Sequence, residues 1–209
     1  MKFAAEKTSD FKQCPAGSHV AICNAVVDLG LQPGSDAYPT PKHQVYVRFE
    51  IPGERITYKK DDAETEGPMS IGRTFTASMN EKANLRLFIE GWFGKKFPGD
   101  EAAANFDVKS LLGKKCLLNV THTSKGGKTY ANLAGAMPLP KGLTDTSVQA
   151  NESIYFSLDE APGDVDRAFG KLPPWLQKKI EGRMMNERSL APSKAVPFTE
   201  TDFDDKIPF

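Results

Sequence analysis

Gln44-Val45-Tyr46-Val47-Arg48-Phe49-Glu50-Ile51 alternates without a break: Val45, Val47, Phe49 and Ile51 fall on one side, Gln44, Tyr46, Arg48 and Glu50 on the other. A period of two is that of a β-strand with one face in a core and a polar outer face. Upstream, His19–Leu29 is rich in β-branched residues and is ended by Gly30 and the Pro33-Gly34 turn, so it reads as a first strand. Downstream, Pro52-Gly53 closes the alternating strand. A short strand is expected around Arg55–Lys59, then an acidic loop with Asp61, Asp62, Glu64 and Glu66, then a strand over Ile71–Ser78.

The periodicity then changes. Leu85, Phe88, Ile89 and Trp92 follow the i, i+3, i+4, i+7 spacing of one buried helix face, with Ser78 or Asn80 as a cap, Glu81 in the first turn and Gly94 as a stop. Two more strands, Lys115–His122 and Lys128–Met137, flank Ser124-Lys125-Gly126-Gly127, a hairpin signal. This order predicts a mainly-β chain: a five-stranded Greek-key barrel of the oligonucleotide-binding (OB) kind, with one helix between strands three and four. Residues 1–142 would form it. Residues 143–189 read as a linker with a short helix near Trp175–Ile180, and 190–209 as a disordered acidic tail.

The net charge of zero conceals an asymmetry. Residues 1–142 hold 19 Lys and Arg against 15 Asp and Glu, whereas 143–209 hold 8 against 12. Within 82–141 the basic excess rises to 10 against 4. A basic body with an acidic tail suits a body that meets phosphate and a tail that meets basic partners. Three cysteines in no paired spacing argue against a disulfide framework. With no long apolar stretch and no signal-peptide core at Met1–Lys7, the expectation is a cytoplasmic chain without a membrane partner.

Catalytic motifs are not evident. Gly126-Gly127-Lys128-Thr129 imitates the end of a phosphate-binding loop, but His122 stands where that loop needs glycine, and the next residues read as a strand. His19, His43 and His122 are scattered, no zinc spacing is present, and the Asp61–Glu66 carboxylates lack a second cluster. No cofactor, metal or catalytic residue is expected.

The segment Asp202-Phe203-Asp204-Asp205-Lys206-Ile207-Pro208-Phe209 is poorly suited to regular structure, since Pro208 can neither continue a helix nor donate to a sheet. It is suited to docking, with the Phe209 ring in a pocket and basic residues on its carboxylate. It closely resembles the C-terminal tip of bacterial single-stranded DNA-binding proteins (SSBs). That resemblance implies that Asp202, Phe203, Asp204, Asp205, Ile207, Pro208 and Phe209 recruit replication, recombination or repair proteins. Chain size, strand layout over residues 16–140 and Lys206 within the tip are similar to SSBs encoded by bacteriophages, which implies a monomer or dimer rather than a tetramer. The compartment would then be the bacterial host cytoplasm.

Sequence-independent single-strand binding needs cations for the backbone and exposed rings for the bases. The candidates are Tyr46 and Arg48 on the polar strand face, Tyr58 with Lys59 and Lys60, Arg73 with Phe75, Phe93 with Lys95 and Lys96, and Lys125, Lys128 and Tyr130 around the glycine turn. The expected function is protection of exposed single strands with partner recruitment through the tip. A strand-annealing recombination mediator and a nuclease with an SSB-like tail are the alternatives.

Overall fold

The computed structural model describes residues 12–36, 38–60, 63–143 and 146–184, with Lys59 and Lys60 given as backbone alone. The expectations for the tail, 202–209, lie outside the described residues. The chain is mainly β, a strongly curled antiparallel sheet in the form of a half-barrel with a few short helices. Its strands are β1 (Gly17–Gln32), β2 (Lys42–Lys60), β3 (Ala63–Thr76), β4 (Lys115–Lys125), β5 (Lys128–Met137) and β6 (Ile154–Phe156). Neighbours run β3-β2-β1-β4-β5, and β6 adds to β1 in parallel. No helix among the described residues is long and apolar enough to cross a membrane.

The alternation of residues 44–51 places Val45, Val47, Phe49 and Ile51 inside the curl. Helix α1 (Asn84–Phe93) plugs it, contributing Leu85, Phe88, Ile89 and Trp92, and a short helix α2 (Asp100–Ala104) follows. Phe49 lies 5.1 Å from Trp92 and 6.0 Å from Phe88, ring centre to ring centre. Each such side chain contributes about 1.5–3 kcal/mol by leaving water. Gly94, at φ 63°, ends α1 in the left-handed conformation that a side chain would resist. The helix begins at Asn84 behind an uncapped Ala83, later than the expected caps, and the Ser78 hydroxyl instead accepts from the Asn80 N–H.

Strand β1 is covered on both faces. A bulge between Cys23 and Ala25 inserts Asn24 and reverses the parity of the strand. Ala21, Cys23 and Val26 therefore join the core inside the curl, while Ala25, Val27 and Leu29 join a second core outside it. That second core is filled by Phe156 of β6, by Leu176 and Ile180 of α4 (Pro174–Glu181) and by Leu172 just before it, with α3 (Pro162–Gly170) packing Val165, Ala168 and Phe169 against its edge.

Three expectations are corrected here. Of the segment read as a linker with a short helix, the helix near Trp175–Ile180 is α4, but Phe156, Leu172, Leu176 and Ile180 pack on the outer face of β1, whose apolar residues could not be left in water. Arg55–Lys59 is not a separate strand but the continuation of β2 across a bulge between Ile51 and Arg55. Glu64 and Glu66 stand on β3 rather than in a loop, paired with Lys59 and Thr57; Asp61 and Asp62 lie outside the described residues.

A buried carboxylate fastens the outer layer. Glu50 is fully buried. It accepts from the N–H groups of Ala150 (2.6 Å) and Asn151 (3.0 Å), from the Asn151 amide (2.6 Å) and from Asn24 (3.4 Å). Asn24 in turn accepts from Arg48 Nε at 2.9 Å. Glu50→Ala should leave these donors unsatisfied, at about 1–3 kcal/mol for each that stays buried. A lower urea midpoint and faster proteolysis between residues 140 and 160 are expected, with the curled sheet retained by circular dichroism.

At the other end of β1, Asp28 accepts from His43 Nε2 at 2.5 Å and from the Gly30 N–H at 2.8 Å. Burial pushes the Asp28 carboxyl up, but hydrogen bonds from His43, Gly30 and Leu158 outweigh it and leave the group below its ordinary value. The Asp28 hydrogen bond raises His43 against the opposing effect of burial. The histidine's contribution is therefore complete below about pH 6.5, its unfolded value. It is lost as pH rises through the higher folded value. The aspartate's contribution is complete above about pH 3.9 and is lost as pH falls through its lower folded value. Because His43 is half exposed, the effect should be small. The urea midpoint of the native chain should decline as pH rises above about 6.5, and this decline should be absent in His43→Asn.

Candidate nucleic-acid interface

A groove of about 750 Å³ opens between the outer layer and the long β2–β3 hairpin. Arg48, Ile56 and Tyr58 come from β2, Pro68, Met69 and Ser70 from β3, and Asn151, Glu152, Ile154 and Lys171 from the C-terminal layer. Lys12 and Cys14 close it from the N-terminal side. Three of its side chains are cationic and one is an exposed tyrosine, the combination that tracks a phosphate backbone and offers a ring to a base.

Each cation is positioned differently. Arg48 is oriented by Asn24, so its guanidinium is preorganised by the network that fastens the outer layer. Lys12 Nζ donates to the Arg55 carbonyl at 3.1 Å. Lys171 meets Glu152 at 3.0 Å on the rim, an exposed pair of small worth that a phosphate can displace. Cys14 is buried, and burial, with the Glu54 charge adding to it, raises its thiol above the ordinary value, so it is no thiolate nucleophile. Burial likewise pushes Cys23 up to about 12.

Residues 12–15 tie this groove to the β4–β5 hairpin. The Gln13 amide donates to the Thr129 carbonyl, and His122 Nε2 bonds the Cys14 carbonyl at 2.8 Å. The hairpin turns at Gly126 and Gly127, both with positive φ (60° and 75°), as a two-residue turn matched to strand twist requires. Lys128 begins β5, so the glycines form a strand turn and not a phosphate loop leading into a helix. Lys125 and Lys128 stand directly opposite each other, and like charges in that position cost stability. Tyr130 is exposed on the next rung but one, opposite Thr123.

The sequence candidates thus separate into groups. Arg48 and Tyr58 share the groove, and Lys125, Lys128 and Tyr130 share the hairpin tip. Lys59 and Lys60 follow Tyr58 on the β2 backbone. Lys95 and Lys96 are exposed but lie just past α1, whose Trp92 Nε1 donates to the Lys115 carbonyl at the start of β4. They thus follow a helix end anchored at the start of β4, whereas the tip lies at the end of that strand. Phe93 stacks on Trp92 at 5.6 Å and packs edge-on to Phe106, so most of its ring is committed to the core rim.

Three candidates are corrected. Phe75 is buried against Phe88 inside the curl. Arg73 also points inward: its register partner is Val47, its guanidinium lies over Phe75, and Nη1 donates to the Leu133 carbonyl at 3.2 Å. It closes the seam between β3 and β5. Tyr46 does stand on the outer face, but the C-terminal layer covers it, with Trp175 edge-on at 5.1 Å. Its ring lies over Gly72, where a Cβ would come within 2.1 Å of the tyrosine oxygen. Burial raises its hydroxyl above the ordinary value against the lowering effect of Arg48.

The sequence reading missed Lys12, Lys171 and Asn151, which reach the groove only through long-range packing. It also missed Tyr38, exposed at 72% in the β1–β2 connection with Lys42 Nζ 5.9 Å from its ring centre. A tyrosine between Pro33-Gly34 and Pro39 was a legible sign of an exposed ring. Among the described residues no His, Cys, Asp and Glu side chains converge as a metal site. No known family model and no curated protein matches this chain.

Proposed function

We propose that this protein binds single-stranded DNA without sequence preference and that its curled sheet is an OB-like barrel. The neighbour order β3-β2-β1-β4-β5, with α1 between β3 and β4, supports the barrel reading. The observation that carries the functional reading is the pairing of cations with exposed tyrosines at two connected places. Arg48, Lys12 and Lys171 stand with Tyr58 in the groove, and Lys125 and Lys128 with Tyr130 at the tip. Tolerating Lys125 opposite Lys128 is understandable if phosphate normally lies between them. Cations along a groove wall accept a phosphate backbone of any sequence, and rings accept any base, so the surface favours a sequence-independent ligand.

Replication, recombination or repair proteins are the proposed partners of segment 202–209. Its carboxylates suit a basic pocket, and Ile207-Pro208-Phe209 supplies an apolar anchor. The protein then acts as an adaptor that coats exposed strands and brings enzymes to them, without catalysis of its own.

In a titration of labelled single-stranded and duplex oligomers, the single strand should bind more tightly. Its log affinity should fall against log salt with a slope of about −0.7 per phosphate neutralised. Joint reversal of Lys125 and Lys128 to Glu should weaken all sequences alike and make the slope shallower by about 1.4. Tyr58→Ala or Tyr130→Ala should cost about 1–3 kcal/mol with the slope unchanged. Equal affinity for duplex and single strand would refute the proposal, and loss of the oligomer in Mg²⁺ would reveal a nuclease instead.

Deleting residues 202–209 should remove partner capture in a pull-down from bacterial lysate while leaving the urea midpoint intact. Single-strand affinity should rise in the deletion, most at low salt, because a competing polyanion has gone. Identical partners on both baits would reduce the segment to a solubilising appendage.

A further inference from the structure

We propose that Trp175 on helix α4 is a base-stacking platform that extends the single-strand track beyond the groove; the proposal rests on the single-strand reading above. Leu176 and Ile180, four residues apart, anchor α4 in the outer core. Trp175 lies one position off that stripe and is 50% exposed. Leaving so large a ring half in water forgoes much of the burial energy it could contribute, so its placement calls for a use.

The ring is held, not loose. Tyr46 meets it edge-on, at 5.1 Å and 90°, and is itself seated over Gly72 where no side chain intervenes. Below, the Glu50 carboxylate grips residues 150 and 151 and fixes the layer that carries α4. A rigid ring loses little freedom when a base stacks on it.

Trp175 is tied to the groove through β2 and through Lys171, four residues before it. Tyr46 and Arg48 are alternate residues on the outer face of β2, roughly 7 Å apart. A strand whose phosphate sits on Arg48 thus has the Tyr46–Trp175 pair at the next outward position along β2. Lys178 and Lys179 follow Trp175 by three and four residues, on the same side of the helix, where they can meet the next phosphates. Burial lowers the Lys179 ammonium below its ordinary value, and an arriving phosphate favours its charged form. Ring, support and cations repeat the composition of the groove itself.

The chain's two tryptophans make the test direct, because Trp92 is 2% exposed and only Trp175 can meet a ligand. Oligothymidylate is titrated into the full chain while tryptophan emission and the anisotropy of a labelled copy are followed together. Emission should be quenched in step with the anisotropy rise. The quench should vanish in Trp175→Phe, which keeps a ring and most of the affinity. Trp175→Ala should bind roughly 10-fold more weakly, the loss of one stacked base. Binding by anisotropy without quenching, or a quench that persists in Trp175→Phe, overturns the platform and leaves the single-strand reading standing. Absence of any anisotropy rise overturns both. The Phe variant and the native quench decide the question even if the Ala variant fails to fold.

Discussion

A β-strand with apolar residues on both faces must be covered twice, and β1 is such a strand from Ala21 to Val27. The bulge at Asn24 is what lets one strand serve two cores, since it turns Cys23 inward and Ala25 outward where simple alternation would have kept them on one face. The extra residue also places an amide between Arg48 and the buried Glu50 carboxylate, so one irregularity creates both the apolar demand for an outer layer and the polar clasp that holds it. Burying an ionisable carboxylate would be costly alone, but four N–H donors surround this one.

The groove follows from that arrangement. Without the outer layer, β2 and β3 would present an open polar face; with it, Asn151, Glu152, Ile154 and Lys171 raise a second wall opposite Tyr58 and Ser70. The same network orients Arg48, so the device that stabilises the layer also sets the cation on which the proposed ligand would rest. Where the layer meets β2 it covers Tyr46 and offers Trp175 in its place. The sheet has thus exchanged one outward ring for another that stands further out and is supported from behind.

Elements governed by local rules could be read from the residues. The strict alternation at 44–51 placed β2 and its inner face, the helical spacing of Leu85, Phe88, Ile89 and Trp92 placed the plug, and Gly126-Gly127 placed the hairpin turn because only glycine enters its positive φ cheaply. The outward side of Arg48 on its strand and the turn positions of Lys125 and Lys128 were legible for the same reason, since alternation and turn chemistry are set within a few residues. Arg73 was misread because alternation says only which residues share a face. It does not say that the inner face reaches an open seam where a guanidinium finds the Leu133 carbonyl.

What the sequence by itself determined is this set of short-range features: strand parity, helix face, turn chemistry and the charge contrast between body and tail. Each depends on residues within a few positions of one another. The tertiary structure alone decided that 146–184 belongs to the fold, that Glu50 is a clasp, that Tyr46 is covered, and that Lys12, Arg48, Tyr58 and Lys171 line a single groove. The physical reason is separation along the chain. Glu50 meets Asn151 across 101 residues, and Gln13 meets Thr129 across 116. Such contacts arise from the joint demand of two apolar faces for cover, which no local window of sequence contains.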